Sequence, residues 1–259
     1  MKYFAKIEYV GTEFSGFQVQ PDRRTVQGEL CAALAEAFGA PCRVTGCSRT
    51  DRGVHAREFC LTIETDGASI PPKKLPVAVA RYLPPDLSLY YASACREDFH
   101  ARHDVVSKEY VYRIWNSPVI APFEYHRAWI IYPHISDEAI ERMRAACPHF
   151  VGKKDFTSCM AQGSSITDAV RTVQSLSVEK NGREILVRIR ADGFLYNMVR
   201  IIVGTLVEVA FGRMNAEEIP DIIEAKSRAL AGMTAPPDGL YLNRVEYDKN
   251  PDPASMIPK

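Results

Sequence analysis

Hydrophobic and polar residues alternate in several short stretches of the chain, and this alternation predicts β-strands. The stretches are residues 2–9, 57–64, 87–94, 108–115, 126–132 and 241–247. Residues 170–180 and 184–192 continue the pattern on either side of Asn181-Gly182. Asn-Gly is typical of the two-residue turn of a β-hairpin, so these last two strands are predicted to pair.

Apolar residues recur at helical spacing in four other stretches, which are residues 26–38, 73–82, 137–147 and 196–211. Thr25 and Ser136 stand immediately before the first and third of these stretches and are the predicted N-caps. The stretch 196–211 has apolar residues on almost every face, which is typical of a buried helix.

The order of these elements predicts the fold class. Strands outnumber helices and many connections are as short as a hairpin loop, so the chain is predicted to be α+β with a largely antiparallel sheet. Two halves are predicted to meet near residue 105. They are residues 1–105 and residues 106–249, followed by a polar, proline-containing tail over 250–259 that is predicted to be frayed.

Composition narrows the function classes. The 259 residues are 46% hydrophobic and 25% charged, as in ordinary globular proteins. No apolar run approaches the roughly 20 residues that span a bilayer, so a soluble, cytoplasmic protein without a membrane partner is predicted. Seven cysteines without a C-x-x-C pair indicate reduced thiols. A net charge of zero argues weakly against nucleic acid, although a local basic groove is compatible with it.

The most informative segment is residues 45–56, Thr-Gly-Cys-Ser-Arg-Thr-Asp-Arg-Gly-Val-His-Ala. Asp51 stands between Arg49 and Arg52, and the surrounding small residues favour a looped backbone. Two nearby cations favour the ionised form of a carboxylate. Taken alone, the segment is typical of a surface turn with a local salt bridge, because such ion pairs are common.

Two features of the second half favour a functional interpretation. Arg200 falls within the apolar stretch 196–211, where a buried guanidinium needs a partner. Glu208 is a structural candidate for that partner, and an anionic loop carrying Asp51 is the alternative. Tyr110 and Tyr112 are predicted to share one face of a strand. They are core aromatics by pattern, but a tyrosine can also stack on a nucleobase and exchange a proton.

Metal and nucleotide sites find no support in the sequence. His100, His103 and Asp104 lie close together, but no third histidine or cysteine ligand follows at a convincing spacing, so no metal is predicted. Residues 11–16 contain two glycines without a following Gly-Lys-Ser/Thr or G-x-G-x-x-G motif. No nucleotide cofactor is therefore predicted.

Seven groups of residues along the chain carry a family resemblance through their identity and their order. They are Gly11-Thr12 with Gly16-Phe17-Gln18, Thr25-Val26-Gln27-Gly28, Arg49-Thr50-Asp51 with Gly53-Val54-His55-Ala56, Phe99-His100-Ala101-Arg102, Tyr110, Phe194-Leu195-Tyr196-Asn197-Met198-Val199-Arg200 with Val203-Gly204-Thr205, and Thr234-Ala235-Pro236-Pro237 with Gly239-Leu240. Together they extend over almost the whole chain, which therefore resembles the bacterial tRNA pseudouridine synthase A family.

The resemblance implies a cofactor-free isomerase. Such an enzyme flips a uridine of the tRNA anticodon arm (positions 38 to 40) out of its stack, breaks its N-glycosidic bond and rejoins the ring through carbon. Asp51 would be the nucleophile, Tyr110 the tyrosine that stacks on the uracil and serves in proton transfer, and Arg200 the salt-bridge partner of Asp51. Arg49 would help to evert the base. Further tRNA contacts would come from Arg52, His55, Arg102, Phe17 and Gln18.

The resemblance also implies an architecture. The family fold consists of two α+β halves that share one continuous mixed sheet, with the active site in the cleft between them and basic grooves on a homodimer. Some positions depart from the usual motif, where family members more often have an acidic residue at Val10, tryptophan at Phe17 and Ala-Gly at Cys47-Ser48. Ser48 and Arg52 are expected to alter loop flexibility and tRNA contacts.

Two other functions are compatible with parts of the sequence. A non-catalytic tRNA-binding protein would explain tRNA contacts without chemistry, but it gives no reason to place Arg200 beside a carboxylate. A glycoside hydrolase using Asp51 would need a second carboxylate about 5 to 9.5 Å away. No second acidic residue is marked out by its sequence context, so this function is disfavoured.

Overall fold

The structure is a computed structural model that describes residues 1–119, 121–163 and 167–251. The described chain divides into two compact units. Unit 1 is Met1–Val106 together with Leu242 onward, and unit 2 is Ser107–Tyr241. From residue 252 onward, the predicted tail lies outside the described residues.

The described residues form ten strands and five α-helices. The strands are β1 (Lys2–Tyr9), β2 (Cys42–Gly46), β3 (His55–Thr65), β4 (Leu87–Ala94), β5 (Val105–Asn116), β6 (Trp129–Ile131), β7 (Gly152–Asp155), β8 (Val170–Asn181), β9 (Glu184–Ala191) and β10 (Leu240–Tyr247). The helices are α1 (Val26–Phe38), α2 (Leu75–Ala80), α3 (Asp137–Phe150), α4 (Met198–Ala210) and α5 (Ile219–Glu224).

In unit 1 the strands are ordered β4-β1-β3-β10, and β2 pairs with β3. Strand β1 is antiparallel to both of its neighbours, with Ile7 opposite Phe59 on one side and Leu89 on the other. Tyr3, Ile7 and Phe59 are completely buried. The Tyr3 ring meets the Phe38 ring at the end of α1, with centroids 5.8 Å apart. The apolar face of the sheet and the helix therefore form one core.

Helix α1 begins and ends where the sequence predicts. The Thr25 side chain accepts a hydrogen bond from the Gly28 amide at 3.2 Å, which satisfies one of the unpaired donors at the helix start. Gly39 ends the helix in the left-handed region at φ +70°. Leu30 and Leu34, one turn apart, are completely buried. The predicted cap, stop and buried face are all confirmed.

In unit 2 the strands are ordered β5-β9-β8-β7, and each pair of neighbours is antiparallel. Strand β6 pairs with β5 in parallel, with Ile114 opposite Trp129, so the strand pairing is mixed. Tyr110 lies opposite Ile189 on the buried face of β5. Helix α3 packs against α4 and β8, and Ser136 caps it by accepting from the Ala139 amide at 3.2 Å. The α+β class with mostly antiparallel pairing is confirmed.

Several element bounds differ from the prediction. The predicted helix 73–82 is shorter because Pro72–Lys74 forms a 3₁₀ turn, and Pro76 falls in the first turn of α2, where a missing amide costs nothing. The predicted strand 126–132 shrinks to Trp129–Ile131 because a turn precedes it. Strands β2 and β7 were not predicted. No helix in the described part of the chain is long and apolar enough to cross a membrane.

Candidate active site

Asp51 lies in the loop between β2 and β3. Its carbonyl accepts a hydrogen bond from the Val54 amide at 3.2 Å, which closes a tight turn, and Gly53 takes a positive φ of +81° inside that turn. The Asp51 residue is partly exposed, whereas Arg49 and Arg52 on either side are exposed. The turn therefore presents one carboxylate between two cations at the surface of unit 1.

A second loop, residues 10–17, holds the Asp51 loop in place. The Phe17 amide donates to the Thr50 carbonyl at 3.1 Å, and the Gly53 amide donates to the Phe14 carbonyl at 3.3 Å. The Tyr9 hydroxyl and the Thr50 hydroxyl share a buried hydrogen bond of 2.8 Å. Because Asp51 lies between two residues with such contacts, its backbone position is fixed from both sides.

Two glycines let these loops approach each other closely. A Cβ atom on Gly11 would lie 1.9 Å from the Val54 carbonyl oxygen, and one on Gly16 would lie 2.6 Å from the Thr50 carbonyl oxygen. Gly16 also has φ +91°, a conformation that side chains with a Cβ atom rarely adopt. The loop motif Gly11 to Gly16, which has no nucleotide-binding pattern, thus serves to seat the Asp51 loop.

The structure places two of the predicted tRNA contacts inside unit 1. Phe17 is buried and its ring stacks on Phe59 with centroids 4.3 Å apart. His55 is also buried, and its Nδ1 atom accepts a hydrogen bond from the Gly11 amide at 2.9 Å. Gln18, by contrast, is exposed. Phe17 and His55 therefore hold the two loops together from within.

The two tyrosines of β5 have different surroundings. Tyr110 is buried, and its ring meets Phe194 edge to face with centroids 5.0 Å apart. Tyr112 is completely buried and its hydroxyl donates to the Pro236 carbonyl at 2.7 Å. Burial raises the pKa of Tyr112 well above its ordinary value, in spite of the opposing charge of Arg200. Tyr112 is therefore a neutral structural hydrogen-bond donor.

Arg200 lies in the first turn of α4 and is partly exposed, so the prediction that it is buried is wrong. Its Nε atom donates to the Ala235 carbonyl and its Nη1 atom donates to Asn197 Oδ1, both at 2.7 Å. The Ala235 amide donates back to the Arg200 carbonyl at 3.1 Å. The alternative structural partner, Glu208, forms its ion pair with Arg213 at 3.1 Å.

Sequence reasoning missed the residues that orient Arg200. Asn197 takes a left-handed φ of +60° immediately before α4, and this conformation directs its side chain to the guanidinium one turn later. Asparagine is one of the few residues that adopts this region readily, which is the signal that was available. The role of Ala235 depends on its backbone atoms alone, and no side-chain pattern could have indicated it.

Arg102 is exposed at a tight turn built around His100. The His100 Nδ1 atom accepts hydrogen bonds from the backbone amides of Arg102 at 3.0 Å and His103 at 3.3 Å. Asp104 caps the turn by accepting from the His100 amide at 2.7 Å. Since Nδ1 is an acceptor, these histidines serve a turn. No group of three or more potential metal-binding side chains occurs in residues 1–119, 121–163 and 167–251.

This turn is expected to make stability depend on pH. Burial, followed by the nearby charge of His103, lowers the pKa of His100 from its ordinary value of 6.5, while Asp104 opposes the shift. The unfolded chain therefore takes up a proton first, so stability present above pH 6.5 is lost as the pH falls below it. Between pH 7.5 and pH 5.5, the free energy of unfolding measured with urea should fall less in His100→Asn than in the wild type.

The matched control is His134→Asn, because His134 is exposed and outside the turn. This variant should keep the pH dependence of the wild-type protein. Equal losses of unfolding free energy in the wild type and in His100→Asn would contradict the assignment of the acceptor role to His100.

Comparison with known proteins identifies the family. A sequence profile of the tRNA pseudouridine synthase family matches residues 5–104 and 146–248. The chain belongs to this family. The tRNA pseudouridine synthase A of Brevibacillus brevis is 45% identical, covering 93% of this chain and 97% of that protein. The corresponding protein of Thermoanaerobacter sp. strain X514 is 42% identical with the same coverages. That of Halalkalibacterium halodurans is 41% identical, over 92% of this chain and 90% of that protein.

The resemblance inferred from the ordered motifs is thus confirmed, and so is the enzyme class, because pseudouridine synthases are isomerases. Asp51 and Arg200 fall within the two matched ranges, and Tyr110 falls between them.

Proposed function

We propose that this protein isomerises uridine to pseudouridine in the anticodon arm of tRNA, at positions 38 to 40, without a cofactor. The observation that carries the proposal is the family match over most of the chain, together with relatives named tRNA pseudouridine synthase A. The reaction exchanges one bond for another. The N-glycosidic bond breaks, the uracil turns, C5 bonds to the sugar, the proton on C5 is lost, and N1 takes up a proton.

Asp51 is the proposed nucleophile. The reaction needs an ionised carboxylate at a fixed position, and the backbone contacts of Thr50 and Gly53 hold the Asp51 turn on both sides. The exposed Arg49 and Arg52 add positive charge next to it, which favours the ionised carboxylate and attracts phosphates. We expect Arg49 to help evert the uridine and Arg52 to contact the backbone of the RNA.

The half predicted over 106–249 is proposed to supply Tyr110 and Arg200, while the half over 1–105 supplies Asp51. Arg200 would form the salt bridge to Asp51, and its anchoring by Asn197 and Ala235 supports this because an oriented guanidinium loses little freedom when it binds. Tyr110 would stack on the uracil. Stacking of about 1–3 kcal/mol per base offsets the few kcal/mol needed to flip a nucleotide.

The remaining residues that are predicted to contact tRNA form two groups, one exposed and one buried. Gln18 and Arg102 are exposed and are proposed to touch the RNA directly. Phe17 and His55 are buried, so we propose that they act by holding the Asp51 loop in position. We further propose, from the family resemblance, that the protein works as a homodimer in the cytoplasm.

The test is release of tritium. Purified protein is incubated with unmodified tRNA transcript that carries 5-tritiated uridine, in the presence of a metal chelator and without added nucleotide. We expect tritium to pass into water at up to three equivalents per tRNA, one for each uridine present at positions 38 to 40. Binding of tRNA without release of tritium would instead support a non-catalytic tRNA-binding protein.

A further inference from the structure

The loop between β5 and β6 exposes two aromatic side chains. Phe123 is 95% exposed and Tyr125 is 64% exposed. Among the large hydrophobic side chains of the described residues, Phe123 is the most exposed. Water-exposed aromatic rings forgo the favourable burial that drives folding, and groups of them mark binding surfaces. We call Phe123 and Tyr125 the aromatic platform.

The backbone beneath the platform is ordered by local hydrogen bonds. Pro122–Glu124 forms a 3₁₀ turn, in which the Glu124 amide donates to the Ala121 carbonyl at 3.0 Å. The Arg127 amide donates to the Glu124 carbonyl at 2.9 Å, which starts a second turn. The rings are therefore displayed by a folded turn and not by an extended loop.

Side chains from elsewhere in unit 2 clamp the same turn. Arg113 forms an ion pair with Glu124 at 2.8 Å and donates to the Arg127 carbonyl at 3.2 Å. The Tyr241 hydroxyl donates to that same carbonyl at 2.6 Å. His126 has a left-handed φ of +55°, and its Nδ1 atom lies 2.6 Å from Asp238 Oδ1. A surface that is fixed before its ligand arrives loses less entropy on binding.

The clamp connects the platform to the segment that orients Arg200. Asp238, which meets His126, stands three residues after Ala235, whose carbonyl accepts from Arg200. Three residues of extended chain span at most about 11 Å. The platform turn is thus tied to a point within a short distance of the arginine proposed to act on the target uridine.

We propose that the aromatic platform binds an unpaired nucleobase of the tRNA substrate, close to the target uridine, by stacking on Phe123 and Tyr125. This inference rests on the proposed function. Flat rings accept any base on their π-faces, and the exposed Arg127 beside them can meet the negative charge of the adjoining phosphates. The platform would therefore hold the RNA strand after the target base has left its stack.

The size of the platform favours RNA over a second copy of this chain. A stable protein dimer buries about 800 Å² on each partner, whereas two aromatic side chains supply about 300–500 Å² between them. A single stacked base needs only the face of a ring. The charged neighbours of the platform also suit a phosphate backbone better than an apolar interface.

The experiment measures affinity for unmodified tRNA transcript at one fixed salt concentration, because affinity for RNA depends on salt. Phe123→Ala and Phe123→Leu are each expected to weaken tRNA binding about tenfold, since leucine keeps the apolar surface but not the stacking face. Phe123→Trp should retain the affinity, and its fluorescence should be quenched by tRNA relative to the wild-type background. The matched control is Tyr132→Ala, an exposed aromatic of the same unit, which should bind as the wild type does.

Several results would contradict the proposal that the aromatic platform binds a nucleobase. Binding within twofold of the wild type by both Phe123→Ala and Phe123→Leu would do so. If Phe123→Ala does not fold, absence of fluorescence quenching by tRNA in Phe123→Trp would contradict the proposed stacking of a nucleobase on the platform. A lower mass in sedimentation equilibrium for Phe123→Ala, with unchanged affinity for tRNA, would assign the surface to a second copy. This experiment measures binding, so its outcome is separate from that of the tritium test. If the wild-type protein releases no tritium but the Phe123 variants bind tRNA more weakly than it does, only the proposed isomerisation is overturned.

Discussion

Replacing Asp51 by asparagine is expected to lower the rate of pseudouridine formation by about 10⁴-fold or more, as loss of a nucleophile does in other enzymes. The amide is nearly the same size but carries no charge and does not attack. The turn should survive the change, because the Val54 amide binds the backbone carbonyl of Asp51 and not its side chain. The tRNA should therefore still bind while tritium is no longer released.

The control for this experiment is Asp66→Asn, which neutralises an exposed carboxylate in the turn after β3. Its rate of tritium release should match the wild-type rate within about twofold, as is usual for surface substitutions. Wild-type activity in Asp51→Asn, measured on a sample with an unchanged unfolding transition, would remove Asp51 from the role of nucleophile.

Gly16→Ala is expected to cost about 3 kcal/mol of unfolding free energy and to abolish activity under assay conditions. The substitution combines two penalties. The left-handed φ of +91° costs about 1–2 kcal/mol for a residue with a Cβ atom, and that atom would lie 2.6 Å from the Thr50 carbonyl oxygen. Because Thr50 precedes Asp51, the backbone shift that relieves this contact would move the proposed nucleophile.

Comparison with Gly39→Ala separates the cost of the backbone conformation from the cost of the close contact. Gly39 also has a positive φ, +70°, but nothing lies within 4 Å of the added Cβ atom. Urea unfolding should show a loss of only about 1 kcal/mol, and the rate of tritium release should stay close to that of the wild type. If Gly16→Ala and Gly39→Ala prove equally active, the close contact between the two loops has no role in positioning Asp51.

The sequence was sufficient for elements whose local pattern and tertiary role agree. Strand β1 and helix α1 have alternation, spacing, cap and stop that all indicate the same structure, and their bounds were predicted to the residue. Strand β7 was missed because Gly152–Asp155 is short, charged and without apolar alternation. Strand β2 is similarly short, and Val44 is the one buried residue among its five. Both acquire their conformation by pairing with a longer neighbour, which a local pattern does not encode.

The candidate site, like the fold, could be predicted from the sequence only in part. Asp51, Tyr110 and Arg200 were picked out through ordered motifs, since their side chains identify them. Several of the contacts that fix their positions run through backbone atoms, such as the carbonyls of Thr50 and Ala235, and these leave no trace in residue type. The exposure of Arg200 also escaped prediction. Hydrophobic periodicity marks a helix as buried but does not show that one side chain of its first turn, Arg200, is partly exposed.

The division of the chain into units has a consequence for biosynthesis. Unit 1 is interrupted by unit 2, and its strand β10 returns from the far end of the sequence, where the Val245 amide donates to the Glu58 side chain at 3.1 Å across 187 positions. Almost all of unit 2 leaves the ribosome before β10 is complete. The nascent amino-terminal segment must therefore wait with part of β3 unpaired, and an exposed strand edge is a template for aggregation. We expect the nascent chain to depend on chaperones during that interval of translation.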